Sequence, residues 1–241
     1  STGAARRRRR GRRGDRFALT STFKALAAGA LLAHVDRGGE SLDRRVVFAA
    51  ADLVSWSPVT ETRLGAPGMT LAEIAEAAIT VSDNTAANLL LKAIGGPEGF
   101  TAQLRAFGDD VSRLDRWETD LNTAVPGDLR DTTTPAAMVH TLRELVVGKA
   151  LSAASRARLT DWMLADRVGD ALLRAGLPKS WRIADKTGAG GNGARAVVAV
   201  IWPPERRPIT VAIYIAETTA SMAERNAAIA EIGAVLARSI V

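Results

Sequence analysis

The chain has 241 residues, 47% of them hydrophobic and 24% charged, which is too apolar for disorder and long enough for one sizeable core. Zero Cys excludes disulfide staples, thiolate zinc sites and thiol catalysis, and no apolar run approaches the length of a membrane-crossing helix. The formal charge of +6 sits at one end: residues 1–16 hold eight Arg against one Asp, and the remaining 24 basic and 25 acidic residues leave the body at −1. A nucleic-acid-binding face would need basic residues spread over folded surface, so this run reads as a solvated arm.

In chain order, residues 17–35 read first as the apolar core of a signal peptide led by the Arg run, but Lys24 in its middle opposes translocation. The expectation is therefore a chain with no export signal of its own. Residues 21–36 have helical composition and spacing, with Thr20 or Ser21 as cap and Gly38-Gly39 as stop. A capping box, Thr70 to Glu73, opens a helix ending near Thr80. Asn84 to Ile94 is a further helix, stopped by Gly95-Gly96-Pro97 and followed by another through Phe107 and Gly108. Residues 109–134 lack periodicity over a length that usually marks a functional loop. Helices follow over 135–147 and 152–165. The two histidines, His34 and His140, fall in unrelated helical segments and read as structural.

Past Gly176 and Pro178 the pattern turns to β-branched runs over 182–187, 194–202 and 209–216, an antiparallel meander. A second capping box, Ser221 to Glu224, opens a last helix whose Ile229, Ile232, Val235 and Leu236 share one buried face. The fold class expected is α/β: an antiparallel sheet covered by helices, with a mainly helical subdomain. Residues 1–16 form an arm or edge strand, about 21–177 the helical part, and about 178–241 the closing strands and helix.

Chemistry enters at Ser21-Thr22-Phe23-Lys24, where positions i and i+3 of a helix bring a hydroxyl beside an amine. A serine is a weak nucleophile without a base, and a lysine is a base only where burial or neighbouring cations lower its pKa. Ser82-Asp83-Asn84 at a helix start and Lys186-Thr187-Gly188 at a strand end follow in chain order. With a hairpin turn centred on Gly190-Gly191, Lys186 and Arg195 become direct cross-strand neighbours. Like charges so opposed are destabilising at roughly 5 Å, which points to an anion between them. Gly188 to Gly193 also matches G-x-G-x-x-G, but a strand and not a helix follows, which argues against a dinucleotide site.

These strings together resemble the class A serine β-lactamases and their penicillin-binding relatives, over more than nine-tenths of the chain. Arg116-Trp-Glu-Thr-Asp-Leu-Asn122 with Asp128 to Pro135 is similar to the omega loop of that family, and residues 130–135 with Ala223-Glu-Arg-Asn226 lean toward its carbenicillinase branch. The fold implied is that of serine β-lactamases and penicillin-binding transpeptidases. The resemblance implies Ser21 as nucleophile, Lys24 as its base either directly or after Glu118 acts through a water, and Ser82 as proton donor to the leaving nitrogen. It assigns the oxyanion to the backbone N–H groups of Ser21 and Ala189, the deacylating water to Glu118 and Asn122, and the substrate's acylamino group to Asn84. Lys186, Thr187, Gly188 and Arg195 would meet the substrate carboxylate, and Trp56 would form an aromatic wall. Arg116 and Asp131 match a bidentate ion pair that closes the loop.

The implied protein is a monomer acting on small-molecule β-lactams in the periplasm or outside the cell, with no cofactor, metal, nucleic-acid or membrane partner. Two departures stand out. Lys186 replaces the Arg of the carbenicillinase branch, and only 20 residues precede Ser21 where the family usually has a helix and a central strand. Three alternatives remain open on sequence: a DD-peptidase of the penicillin-binding kind, which has no need of Glu118 and Asn122, a truncated inactive relative, and a binding protein acting through its basic arm.

Overall fold

A computed structural model of the chain describes residues 12–240. The Arg run up to residue 10, with the expected arm or edge strand, lies outside them apart from its last few residues. A short strand β1 (Phe17–Ala18) leads through a 3-10 turn (Thr20–Thr22) into α1 (Phe23–Asp36). The short strands β2 (Arg45–Val46) and β3 (Met69–Thr70) pair with each other. Four helices follow in this order around a long loop: α2 (Leu71–Thr80), α3 (Asn84–Ala93), α4 (Gly96–Ala106), then β4 (Thr132–Thr133) and α5 (Pro135–Val146). The chain continues with α6 (Ala153–Leu164) and a one-turn α7 (Leu173–Gly176) that the composition did not signal. It closes as β5 (Arg182–Ala189), β6 (Arg195–Trp202), β7 (Ile209–Ile215) and α8 (Met222–Ile240).

The local signals act where they fall. Thr70 and Glu73 exchange both capping bonds at the head of α2, Asp83 caps α3 through Ala86 N–H, Thr134 and Ser152 cap α5 and α6, and Ser221 with Glu224 closes the box on α8. The expected cap on α1 does not form: neither Thr20 nor Ser21 accepts from its first turn, and the Thr20 and Thr22 hydroxyls turn back to the Leu19 carbonyl.

The sheet β5-β6-β7 is antiparallel and covered on both faces. Ala184, Val198 and Val200 join the core built on α1 to α6, while Ile183, Val197, Ala199 and Ile201 face a second core under α7 and α8, with Leu172, Leu173 and Ile229. That is why β6 reads as a nearly continuous apolar run. α1 threads the helical side, buried from Phe23 to Ala33. The face expected on α8 is only half right: Ile229 is buried, but Ile232 and Val235 are 44% and 48% exposed, because the stripe against the sheet runs through Gly233 and Ala237.

The register also corrects the sequence reading. Lys186 pairs with Val198, and Arg195 with Ala189. The turn is longer and later than expected, with Asn192 and Gly193 both at positive φ (51° and 72°), so the strands meet three residues further on. Lys186 and Arg195 consequently occupy opposite faces of the sheet, and the argument for an anion clamped between direct neighbours falls. No helix among the described residues is long and apolar enough to cross a membrane.

Candidate active site

Ser21 sits in the 3-10 turn ahead of α1, part-exposed, with Thr20 held at φ 45°. With no capping bond to make, its hydroxyl is left for other chemistry. Lys24 follows one turn into α1 and is fully buried. Its ammonium donates to Asn84 Oδ1 at 2.6 Å, to the Ser82 carbonyl at 2.9 Å and to Ser82 Oγ at 3.4 Å, and lies 3.1 Å from Glu118 Oε1. Burial pushes the Lys24 pKa down, while Glu118 and Asp83 pull it the other way.

The Ser82-Asp83-Asn84 segment is fixed from below. Asp83 accepts from Val59 N–H, Thr60 N–H and the Thr60 hydroxyl as well as from α3. Ser82 takes positive φ (59°), which aims it away from the helix that starts two residues on. Asn84 donates one N–H to the Ser55 carbonyl at 2.8 Å and gives its oxygen to Lys24, so one N–H remains. Trp56 stands at the rim, 62% exposed, its indole N–H donating to the Val81 carbonyl.

The long loop delivers Glu118 from the other side. Asn88 of α3 clamps its backbone, accepting from Glu118 N–H at 2.9 Å and donating to its carbonyl at 3.0 Å. Asn122 donates to Glu118 Oε2. Of the two leftover acceptors, Asn122 Oδ1 is buried without a hydrogen bond and Glu118 Oε1 is buried facing the Lys24 ammonium at 3.1 Å. At the loop's ends Arg116 Nε meets Asp131 Oδ2 at 2.6 Å. The pair is single-pronged and not the expected fork, because Asp131 Oδ1 is occupied by the N–H groups of Asp115 and Arg116. The Asp131 carbonyl also accepts from Leu19 N–H at 2.8 Å, tying the loop to the turn that carries Ser21.

β5 forms the remaining wall. A Cβ added to Gly188 would lie 2.0 Å from Thr20 Oγ1 and 3.3 Å from Ser21 N, so only glycine lets this strand end reach the Ser21 backbone. Side chains at Gly190 and Gly191 would strike the carbonyls of Asn122 and Thr123 at 2.5 and 2.4 Å. Lys186 is fully buried, donating to the Thr187 carbonyl at 3.1 Å, and burial with the nearby Lys24 and Arg195 holds its pKa down at about 8 against Asp166 and Asp185. Arg195 reaches over the strand end to the Gly188 carbonyl at 3.1 Å and is steadied by Asn226 Oδ1 of α8 at 2.8 Å.

Ser21, Lys24, Ser82, Asn84, Glu118 and Asn122 therefore converge, with Lys186, Thr187, Gly188 and Ala189 along one side and Trp56 and Arg195 at the edges. Asn88 and Asn226 went unassigned on sequence, since an amide two helices away carries no signal of what it will hold. His34 and His140 lie elsewhere, in α1's last turn and against the Phe107 carbonyl. A serine hydroxyl and a carboxylate around one desolvated lysine form an arrangement suited to acyl transfer through a serine ester.

Comparison with known proteins agrees. The family described as "Beta-lactamase enzyme family" matches residues 9–240. Beta-lactamase AER-1 of Aeromonas hydrophila is 55% identical over 225 residues, 93% of this chain and 74% of that protein. The solved structure of an ancestral (GNCA) class A β-lactamase superposes with a TM-score of 0.94 at 57% identity, covering 95% of this chain and 88% of the other. That of the last common ancestor of Gram-negative bacteria (GNCA4) class A β-lactamase does so with 0.93 at 56%, covering 95% and 87%. The chain belongs to the β-lactamase enzyme family and, within it, to class A.

Proposed function

We infer that this β-lactamase hydrolyses the lactam ring of penicillins and some cephalosporins through an ester on Ser21, conferring resistance to those antibiotics. Ser21 Oγ attacks the lactam carbonyl as its proton passes to Lys24, directly or by way of a water held by Glu118. The oxyanion is met by the N–H groups of Ser21 and Ala189, each worth about 2.7 to 4 kcal/mol of barrier. Ser82 hands its proton to the departing nitrogen and is resupplied by the ammonium 3.4 Å away. Glu118 and Asn122 then present a water to the ester carbonyl, its attack breaks the bond to Ser21 Oγ, and the proton returns to the serine.

The free N–H of Asn84 takes the substrate's acylamino oxygen. Lys186, Thr187 and Arg195 attract its carboxylate, Arg195 from across the strand end and not as a neighbour of Lys186. Gly188 leaves room for the ring, and Trp56 flanks it. The enzyme acts as a monomer in the periplasm or outside the cell, on small molecules and with no nucleic-acid or membrane partner.

The observation that carries this reading is the buried ammonium of Lys24 between Ser82 Oγ and Glu118 Oε1, which joins the group serving acylation to the one serving deacylation. Intact-protein mass spectrometry during incubation with benzylpenicillin tests it. Rapid turnover without a lasting adduct is expected from the unaltered chain, and a trapped penicilloyl adduct from Glu118→Ala. A lasting adduct on the unaltered chain would make it a penicillin-binding protein, and no adduct on either would sink the scheme.

A further inference from the structure

Behind Lys186 lies a second cluster of buried charge that the reaction scheme does not use. Asp185 precedes Lys186 in β5 and is fully buried, and Asp166, just past α6, is 4% exposed. Asp185 Oδ1 takes the Arg174 guanidinium, with Nε at 2.8 Å, and Asp166 Oδ1 accepts from Val168 N–H at 3.2 Å. The other oxygen of each carboxyl, Oδ2, is buried with no partner. Both aim at one point: a Cβ placed on Gly169 would sit 2.4 Å from Asp185 Oδ2 and 2.6 Å from Asp166 Oδ2. The two oxygens are thus within about 5 Å of each other, over a residue that has no side chain to separate them.

Two full carboxylates so placed would repel in a site with little water to screen them, and two bare acceptors would forfeit hydrogen bonds. One proton relieves both costs, since the protonated carboxyl donates and its neighbour accepts. We propose that Asp166 and Asp185 hold a single proton between their Oδ2 atoms, and that Asp166 is thereby a positioning residue that sets the charge of the Lys186 ammonium. The charged groups facing the pair are Arg174 of α7, Asp170 of the loop between α6 and α7, and Lys186 itself, and Lys24 and Arg195 face Lys186 in turn. With one proton the pair carries −1 against the cations of Arg174 and Lys186. Burial and Asp166 hold the Asp185 proton up to about pH 7, in keeping with this count. Loss of the proton at higher pH adds a second negative charge beside Lys186 just where that ammonium begins to titrate, at about 8. The pair thus buffers the charge of Lys186.

The Asp166→Asn variant tests the idea because its amide still donates to Asp185 and keeps the pair at −1, but cannot supply the second charge. Lys186 then loses its proton earlier, and the basic limb of the kcat/KM profile moves toward acid by about one pH unit, roughly a tenfold loss at a fixed alkaline pH. Independently of turnover, infrared difference spectra near pH 6 should show a protonated-carboxyl stretch in the unaltered protein that both Asp166→Asn and Asp185→Asn abolish. The thermal midpoint offers a third reading. A native carboxyl that keeps its proton above the unfolded value makes stability fall as pH rises from about 4 to 7, so the unaltered protein should lose midpoint over that window relative to Asp166→Asn.

An unchanged stretch in both variants, or parallel thermal curves, overturns the shared proton and assigns the space to a water or a cation. A lost stretch with an unmoved basic limb overturns the positioning role. The inference rests on Lys186 binding the substrate carboxylate; the spectra and thermal curves need no substrate, so failure of the reaction scheme, seen as no turnover in the unaltered protein, is distinguishable from failure of the pair.

Discussion

α1 and α8 are both built on alanine and aliphatic residues, but α1 carries only Lys24, His34 and Asp36 among them while α8 is interrupted by Glu224, Arg225, Asn226, Glu231 and Arg238, and their surroundings are opposite. α1 runs through the middle of the helical side and is buried on every face from Phe23 to Ala33, Lys24 included, whereas α8 lies over the outer face of the sheet and buries only Ile229, Gly233 and Ala237. Met222, Ile232 and Val235 of α8 remain 43%, 44% and 48% exposed. The charges that interrupt α8 mark the face it leaves to solvent, whereas nothing in the composition of α1 says that its one lysine goes inside. The chemistry follows the neighbours: enclosure of α1 desolvates the Lys24 ammonium and lowers its pKa, while α8 touches the site at one remove, through Asn226 and Arg195.

The comparison can be broken most sharply at the site. Ser21→Ala, at the head of α1, is expected to lower turnover of benzylpenicillin by about 10⁶-fold, and Asn226→Ala on α8 to lower kcat/KM by only about tenfold as the Arg195 guanidinium loses one partner; steady-state rates measure both. Stability should divide in the same sense. Leu31→Ala in α1 is expected to cost about 2 to 5 kcal/mol, and Val235→Ala in α8 less than about 0.5 kcal/mol, read from urea unfolding midpoints.

Loop anchoring sharpens the contrast further. Arg116→Ala leaves Asp131 buried with backbone partners alone, at a cost of about 1 to 3 kcal/mol, and frees the segment that carries Glu118. Deacylation should then slow more than acylation, visible as acyl-enzyme accumulating in quenched samples, and equal slowing of the two steps would refute the assignment. A further effect of no more than about 1 kcal/mol concerns the α2 cap. Glu73, held at about 2 by the Thr70 N–H and Arg63, stabilises the fold above its ordinary value of 4.5 and loses that contribution as pH falls toward 2. Thermal midpoints of the unaltered chain and Glu73→Gln should differ by the equivalent of about 0.5 to 1 kcal/mol near neutrality and converge at pH 2.

Much of this was legible in the sequence because the signals are local. The boxes at Thr70 and Ser221 act as read, the three closing strands fall within a residue or two of expectation, and the motifs at Ser21, Ser82, Glu118 and Lys186 meet in one place. The failures share a cause: each depended on geometry over more than one element. The hairpin register hinged on Asn192 accepting positive φ, which two glycines nearby disguised. The 3-10 entry to α1 is imposed by the Leu19 carbonyl gathering two hydroxyls, where composition suggested an ordinary cap. Asp166 and Asp185 lie 19 residues apart with nothing in either segment to announce that the other faces it.

The glycines at the end of β5 bear on how such an enzyme can change under selection. Any side chain at Gly190 or Gly191 must displace the carbonyl of Asn122 or Thr123, and Asn122 is bonded to Glu118. A substitution there therefore shifts the backbone of the residue that orients Glu118. On the proposed mechanism, the shape of this rim and the rate of deacylation are coupled through one stretch of backbone, and neither changes alone.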